Sequence, residues 1–347
     1  IAVLVNAVLQ APAVAEACVF SVPHDRLGEV VGASVQLRPG QSVDEEDLKA
    51  FLRDHIAKFK VPEHFWFQRD PLPRGTTDKI DRRALERTKP MPEFVTTEVR
   101  GPILIVTMNR PEVYNAVHPP MHMEMDAIWN DFRDNNDLWV AVLTGAGDKA
   151  FSAGNDLKYS ASGKGGKIPD SGFAGLSKRF DLDKPVIAAV NGFAMGGGFE
   201  TALACDIIIG ADNSTYALPE VKVGFFAATG GVQRLSRFMS RTKANELLFT
   251  GRHMDATEAL GHGILNAVVP QAELMDAAMK MAEDIAAQSP SSVRATKRVL
   301  NEMARAEGLD DSLAYSYEVL GGLMKTEDHR EGVTAFVEKR KPKWVNR

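Results

Sequence analysis

Three consecutive glycines at 196–198 limit the folds available to this chain more than any other segment. They follow an apolar run typical of a buried strand and precede 199–205, which has a helical pattern. At such a turn, glycine lets a ligand approach the backbone, and the first N–H groups of the helix are available to a developing negative charge. Considered alone, however, three glycines are better explained as a tight turn without a function. A functional interpretation therefore needs support from other residues.

A second backbone donor and two carboxylates give that support. Asn155 lies in the segment FSAGNDLK at 151–158, and Glu200 and Glu220 follow the glycines with a separation of 20 residues. Two backbone N–H groups directed at one carbonyl oxygen form an oxyanion hole. Two carboxylates, one ionised and one neutral, can take a proton from water and return one to carbon. Taken singly, Glu200 is a charge at a helix N-terminus and Glu220 a surface ion pair, so the combination indicates catalysis.

This combination resembles the enoyl-CoA hydratases of the crotonase family, over about 250 residues from position 93 to 347. The segments VRGPILIVTMNRPEVYNAV, LPEVKVGFFAATGGVQRL and REGVTAFVEKRKPKW also carry the resemblance. It implies an α/β fold, a spiral of ββα turns with a C-terminal helical region, assembled as a homotrimer or a dimer of trimers. It also implies that the N–H groups of Asn155 and Gly197 hold a thioester carbonyl oxygen. Glu200 would activate water and Glu220 would deliver a proton to C2, or the two would exchange these roles.

The same resemblance implies that the substrate is an acyl-CoA thioester. Family members hold it with the backbone around the two donors, with a basic residue near the nucleotide phosphates and with residues of a neighbouring subunit. The corresponding residues here are Ala153, Gly154, Asp156, Lys158, Gly196, Phe336 and Lys339. Lys158 corresponds to the basic residue, and Phe336 and Lys339 to those that meet the adenine and the 3'-phosphate, although a solvated helix end explains Lys339 equally well. Coenzyme A is part of the substrate, so no separate cofactor is expected.

Two segments are expected to decide which acyl group is accepted. Residues 160–175 are rich in Gly, Ser and Lys and have no periodic apolar pattern, which predicts a mobile loop. In crotonases the corresponding segment lines the acyl pocket. Phe225 and Phe226 either narrow this pocket, stack on an aryl acyl group or belong to the core. The sequence therefore leaves chain length and aryl preference open.

Residues 1–88 predict a separate small α+β domain. Two β-branched runs, 13–22 and 29–37, predict strands, and a capping-box pattern precedes a helix. The segments APAVAEACVFSVPHDRLGEVVGASVQLRPG and LPRGTTDKIDRRAL resemble the C-terminal domain of acyl-CoA synthetases of the adenylate-forming superfamily. In that family the lysine at the position of Lys79 assists acyl-adenylate formation in a large N-terminal domain, which is not in this chain. Asp78 stands where glycine is usual, so we predict a vestigial ligase domain, or one that binds a separate adenylate-forming domain.

Composition argues against several kinds of partner. The 347 residues include 41 Lys and Arg against 46 Asp and Glu, and the net charge of −5 argues against nucleic acid or an anionic membrane as the main partner. No apolar run is long enough to span a bilayer, so a cytoplasmic location is expected. Cys18 and Cys205 lie far apart in apolar runs, which indicates buried thiols without a disulfide. Two prolines separate His118 from His122 and argue against a metal site.

The sequence thus predicts a synthetase-like domain at 1–88, a linker at 89–92, a crotonase core at 93–270 and a helical trimerisation region at 271–347. The predicted function is that of an enoyl-CoA hydratase, which adds water syn across the 2,3 double bond of a 2-enoyl-CoA to give a 3-hydroxyacyl-CoA. Dehydration of a 3-hydroxyacyl-CoA and aryl-enoyl-CoA hydration with cleavage stay open, although Glu200 argues against cleavage because such enzymes often lack the first glutamate. A non-catalytic CoA-binding scaffold that docks a separate ligase domain is the alternative from another class.

Overall fold

A computed structural model describes most of the chain. The described residues are 2–24, 28–38, 41, 43, 45–53, 55–57, 60–62, 64–68, 71–74, 80, 94–162, 166–303 and 308–347. The fold divides into two compact units, the first containing Ile1–Pro92 and the second containing Glu93–Ser162 with Lys167–Arg347. Lys79 and the linker at 89–92 lie outside the described residues, so the vestigial role of Lys79 stays a prediction.

Within its described residues, the first unit is a three-stranded sheet with two helices. Its elements are α1 (Ala2–Leu9), β1 (Val14–His24), β2 (Gly28–Leu37), α2 (Glu45–Arg53) and β3 (His64–Gln68). Strand β1 pairs antiparallel with β2, and β3 pairs parallel with β2. Val8 of α1, Val35 of β2 and Leu48 of α2 meet in its core. The predicted strands and helix correspond to β1, β2 and α2, whereas α1, which is apolar except for Asn6, has no amphipathic pattern that would have predicted it.

The second unit contains two sheets. Its strands are β4 (Val95–Arg100), β5 (Ile103–Met108), β6 (Val140–Gly145), β7 (Ala150–Ser152), β8 (Val186–Val190), β9 (Phe193–Met195), β10 (Ile207–Ala211), β11 (Thr215–Ala217), β12 (Met254–Asp255) and β13 (Ala267–Val269). The larger sheet has the order β13-β10-β8-β6-β5-β4 and is parallel except at β4, which pairs antiparallel with β5. Its central strands are continuous apolar runs, as parallel strands covered on both faces must be.

Helices and the smaller sheet cover the larger sheet. The helices of this unit are α3 (Pro119–Asp134), α4 (Leu157–Ala161), α5 (Gly197–Leu203), α6 (Gly231–Phe238), α7 (Arg241–Thr250), α8 (Ala256–Gly261), α9 (Leu274–Ala286), α10 (Pro290–Met303), α11 (Leu309–Leu323) and α12 (Glu327–Glu338). Side chains alternate between the faces of the sheet, so Val106 and Leu143 join the core that includes α3, whereas Ile105 and Val142 join the core that includes α9.

The predicted helical C-terminal region is confirmed. After β13 a short turn, Gln271–Glu273, leads into α9, and helices α10 to α12 follow. The role of this region in assembly stays a prediction. Among the described residues, no helix is both long and apolar enough to cross a membrane.

The smaller sheet, ordered β12-β11-β9-β7, positions the candidate site. Strands β7, β9 and β11 are parallel neighbours, so their C-terminal ends lie along one edge. Strand β7 leads to Asn155, β9 leads through Gly196 into α5, and β11 leads to Glu220. Three segments that are distant in sequence therefore end at the same edge of the sheet.

Candidate active site

The turn between β9 and α5 presents a backbone N–H group without an acceptor. Gly196 has a φ of 52° and caps α5. Gly197 is the first residue of the helix, and its N–H donates to no acceptor among the described residues. A Cβ at Gly197 would lie 2.4 Å from Cζ of Phe173, so glycine is needed here. The N–H of Gly197 is thus available to a ligand, as the sequence predicts.

The segment after β7 brings a second backbone donor close to it. The Val117 N–H donates to the oxygen of Gly154 at 2.7 Å, and the Asp156 N–H donates to the oxygen of Val117 at 3.0 Å. These two hydrogen bonds join Val117 to the residues on either side of Asn155. The N–H of Asn155 therefore points away from Val117, and it has no acceptor among the described residues. A Cβ at Gly154 would lie 2.9 Å from the nitrogen of Gly197, so the two segments adjoin. This is the arrangement that an oxyanion hole requires.

The carboxylate of Glu200 is buried and held by three hydrogen-bond donors. Its Oε1 accepts the N–H groups of Thr229 and Gly231, both at 2.8 Å, and its Oε2 is hydrogen-bonded to the Thr229 hydroxyl. Only 3% of Glu200 is exposed. These donors fix the orientation of the carboxylate and leave about one of its acceptor positions free, so Glu200 is suited to accept a proton from a water held there.

Glu220 lies close by in a contrasting environment. It follows β11 in the turn Pro219–Val223, and its Oε1 lies 3.0 Å from the position that a Cβ on Gly196 would occupy. Its Oε2 is buried without a hydrogen-bond partner among the described residues. Burial is the main cause that raises the pKa of Glu220 to about 7, and the charge of Glu200 adds to it. Glu220 is therefore suited to carry a proton near neutral pH, and the two carboxylates have the unequal environments of an acid/base pair.

A buried turn, Phe173–Gly175, forms a wall beside Gly197. Tertiary hydrogen bonds fix this turn: the Ala174 N–H donates to Nδ1 of His122 at 2.9 Å, and Nε1 of Trp129 donates to the Ala174 oxygen at 3.0 Å. No sequence motif marks the aromatic ring of this wall. The glycines on both sides of the turn were the available signal, because they permit the left-handed backbone that the turn needs.

The prediction of a mobile loop over 160–175 is wrong at both of its ends. Helix α4 continues to Ala161, and the turn Phe173–Gly175 is buried. A composition rich in glycine and serine predicted mobility, but hydrogen bonds from α3 hold the second of these regions in place. Residues 163–165 lie outside the described residues.

Asp156 stabilises the segment that carries Asn155. Its carboxylate caps α4 by accepting the Tyr159 N–H at 2.9 Å and forms an ion pair with Arg110 at 3.0 Å. The contact with substrate predicted for Asp156 stays a prediction, since its carboxylate is occupied within the protein. Lys158 is exposed on α4, where it is open to an anionic ligand.

Three other predicted substrate-binding residues are exposed. Phe225 and the adjacent Phe226 are 67% and 64% exposed, so the interpretation of this pair as core residues is wrong. Phe336 is 85% exposed near the end of α12, and Lys339 follows that helix in the left-handed region with a φ of 55°. All four side chains are open to another molecule, and their contacts with coenzyme A stay predictions.

The two cysteines and His122, whose side chains could also take part in chemistry, are buried in the fold. Cys18 and Cys205 are buried thiols without a disulfide, and burial raises the pKa of the Cys205 thiol, so it is unreactive. Burial lowers the pKa of His122 to about 4, so its ring is neutral near pH 7. No group of three or more His, Cys, Asp or Glu that could hold a metal ion occurs in the part of the chain that the structure describes.

The fold and the site point to one class of protein, and comparison with known families agrees. The sequence profile of the enoyl-CoA hydratase/isomerase family matches residues 98–347. The profile of the AMP-binding enzyme C-terminal domain matches residues 6–79. The chain therefore belongs to the enoyl-CoA hydratase/isomerase family, with an additional segment of the second kind before it. Both predicted family resemblances are confirmed.

Individual relatives support the same assignment. A carnitinyl-CoA dehydratase from Citrobacter koseri is 46% identical over 255 residues, which cover 71% of this chain and 96% of the relative. The carnitinyl-CoA dehydratase of Shigella flexneri is 46% identical over 272 residues, 74% of this chain and 100% of the relative. Among solved structures, an enoyl-CoA hydratase from Mycobacterium tuberculosis has a TM-score of 0.70 and 37% identity, and it covers 74% of this chain and 100% of its own. The predicted crotonase fold is confirmed.

Proposed function

We propose that this protein is a hydro-lyase that interconverts a 2-enoyl-CoA and a 3-hydroxyacyl-CoA by adding or removing water across C2 and C3. The observation that carries the proposal is the contrast between two neighbouring carboxylates beside a pair of available backbone N–H groups. Glu200 is held by three donors, whereas Glu220 has a buried oxygen without a partner among the described residues and a pKa raised to about 7. Hydration needs one group of each kind.

In the hydration direction, the N–H groups of Asn155 and Gly197 would bind the thioester carbonyl oxygen. This draws electrons from the double bond and makes C3 electrophilic. Glu200 accepts a proton from water as the water oxygen bonds to C3, and the electron pair of the double bond moves into a thioester enolate. Glu220 then donates its proton to C2. One O–H bond of water is broken, one C–O and one C–H bond form, and Glu200 ends neutral while Glu220 ends ionised.

Dehydration uses the same groups in reverse. Ionised Glu220 removes the proton at C2, and neutral Glu200 protonates the departing hydroxyl group. A proton must return between the two carboxylates after each turnover, through solvent or product release. The carboxylate of Glu220 lies beside Gly196, and Glu200 is in the first turn of the helix that begins at Gly197, so we expect the two groups to act on one face of the substrate and the addition to be syn.

Dehydration of carnitinyl-CoA is a second, more specific candidate. It is supported by relatives with 46% identity over their full length or nearly so that are named carnitinyl-CoA dehydratase. Carnitinyl-CoA is a 3-hydroxyacyl thioester, so its dehydration is the reverse step of the proposed chemistry. It should therefore be tested beside simple enoyl thioesters.

Variants of the two glutamates test the proposal. Wild-type protein, Glu200→Gln and Glu220→Gln are compared on short, long and aryl 2-enoyl-CoA thioesters, by loss of the conjugated absorbance, and on carnitinyl-CoA in the dehydration direction. Removal of a general acid or base should lower kcat by about 100-fold or more. Glu273→Gln, at an exposed glutamate, is the matched control and should retain wild-type turnover. Unchanged turnover in both site variants would show that the two glutamates are not the acid/base pair, and an absence of turnover by the wild type would favour the non-catalytic scaffold.

A further inference from the structure

The hydroxyl group of Thr229 is hydrogen-bonded to Glu200 but has no part in the proton transfers proposed above. Thr229 supplies two of the three donors to this carboxylate, its N–H on Oε1 and its hydroxyl on Oε2. The Gly231 N–H supplies the third. All these contacts come from residues 229–231, which lead into α6 and lie 29 to 31 residues after Glu200 in sequence.

An ionised carboxylate offers about four acceptor positions on its two oxygens. Three of the positions on Glu200 are filled by the protein, so about one is left for an incoming water. Glu220 differs, because its Oε2 is buried and has no partner among the described residues. The donors are therefore distributed unequally between the two glutamates, and Thr229 is the largest contributor to that inequality.

We propose that Thr229 is a positioning residue whose hydroxyl holds the carboxylate of Glu200 and orients its remaining acceptor position toward water, so that Glu200 acts as the base and Glu220 as the proton donor. This inference rests on the proposed hydratase function and adds the residue that decides which glutamate is the base. The Thr229 hydroxyl donates to the carboxylate, as its N–H and that of Gly231 do.

The test is a comparison of Thr229→Val with Thr229→Ser in hydration of a 2-enoyl-CoA. Valine has the shape of threonine and keeps the backbone N–H bond to Glu200, so it removes the hydroxyl alone. Loss of a hydrogen bond to a charged group should lower kcat about 10- to 100-fold. KM should change less than about threefold, since Thr229 acts through Glu200. Serine restores the hydroxyl and should recover kcat to within about threefold of the wild type.

The split between kcat and KM separates this role from a merely structural one. In Thr229→Val the carboxylate of Glu200 has lost a donor that orients it, so kcat should fall while KM stays near its wild-type value. A structural defect at the site would raise KM as well. Thr215→Val is the matched control, because the Thr215 hydroxyl is buried without a partner among the described residues. This control should keep both the wild-type kcat and the wild-type KM.

Every outcome of these measurements either supports or contradicts the role of Thr229. An unchanged kcat in Thr229→Val, a rise in KM that accounts for the loss of activity, or a failure of Thr229→Ser to restore activity overturns the role of Thr229. If Thr229→Val does not fold, as judged by circular dichroism, Thr229→Cys replaces it. This variant keeps a weak donor and should show an intermediate kcat, and a wild-type kcat there contradicts the proposal. A wild-type protein that hydrates no thioester refutes the proposed function itself, whatever the variants do.

Discussion

Replacing Glu220 with glutamine should remove a pH-dependent cost of folding. The folded protein holds a proton on Glu220 up to about pH 7, whereas the unfolded chain releases it at the ordinary value of 4.5. Between these values the folded state binds more protons than the unfolded state, so this group lowers the stability as the pH rises from 4.5 to 7. At pH 5 most of this cost is absent, and at pH 8 it is present in full.

The shift of about 2.5 pH units corresponds to about 3 kcal/mol, or about 2 kcal/mol after allowance for solvent around the partly exposed carboxyl. Relative to the wild type, Glu220→Gln should therefore be about 2 kcal/mol more stable at pH 8 than at pH 5. Any pH-independent effect of the amide cancels in this difference. Urea unfolding at both pH values measures it, with Glu273→Gln as a control that should show no such difference. An equal effect of Glu220→Gln at pH 5 and pH 8 would refute the reasoning about this carboxyl.

Three further predictions concern the oxyanion turn, the acyl pocket and the N-terminal domain. In Gly197→Ala the new Cβ would lie 2.4 Å from Phe173 Cζ, so the turn must shift, and kcat for hydration should fall about 100-fold; a rate near that of the wild type would contradict the oxyanion role. Phe173→Ala should lower the stability by about 3 kcal/mol and raise kcat/KM for longer acyl chains relative to short ones by about tenfold, measured over a series of chain lengths; an unchanged ratio would show that the ring does not limit the pocket. Lys79→Ala should leave hydration unchanged, and neither protein should release pyrophosphate from ATP with a carboxylic acid and CoA; release by the wild type that the variant lacks would show an active ligase.

The amino-acid pattern is most informative at the strand ends, where the candidate active groups lie. Asn155, Gly197 and Glu200 are marked by glycines at the ends of apolar strands, and the resemblance added Glu220 at the end of a third strand. Parallel pairing of β7, β9 and β11 brings these strand ends together, as the crotonase resemblance implied. The sequence could not decide which glutamate is more suited to each role, because that depends on donors from Thr229, which is 29 residues away from Glu200.

Tertiary contacts also explain the errors. The Gly- and Ser-rich composition of 160–175 predicts a mobile loop, but His122 and Trp129 of α3 hold the turn at Phe173–Gly175 by hydrogen bonds that no local pattern reveals. A place in the core is one expectation for Phe225, because aromatic residues are usually buried, yet it is 67% exposed. In both cases the local sequence gives the type of each residue but not the residues that it contacts in the folded chain.

The most direct test of the central claim is hydration of a 2-enoyl-CoA in deuterium oxide, with the product analysed by mass spectrometry and NMR. If Glu200 and Glu220 act as the acid/base pair on one face of the substrate, the wild-type product carries one deuterium at C2, syn to the new hydroxyl group at C3. Glu220→Gln should then form this product at least about 100-fold more slowly. A wild-type protein that yields no hydroxylated product from any 2-enoyl-CoA, or a Glu220→Gln variant that forms the labelled product at the wild-type rate, would contradict the account.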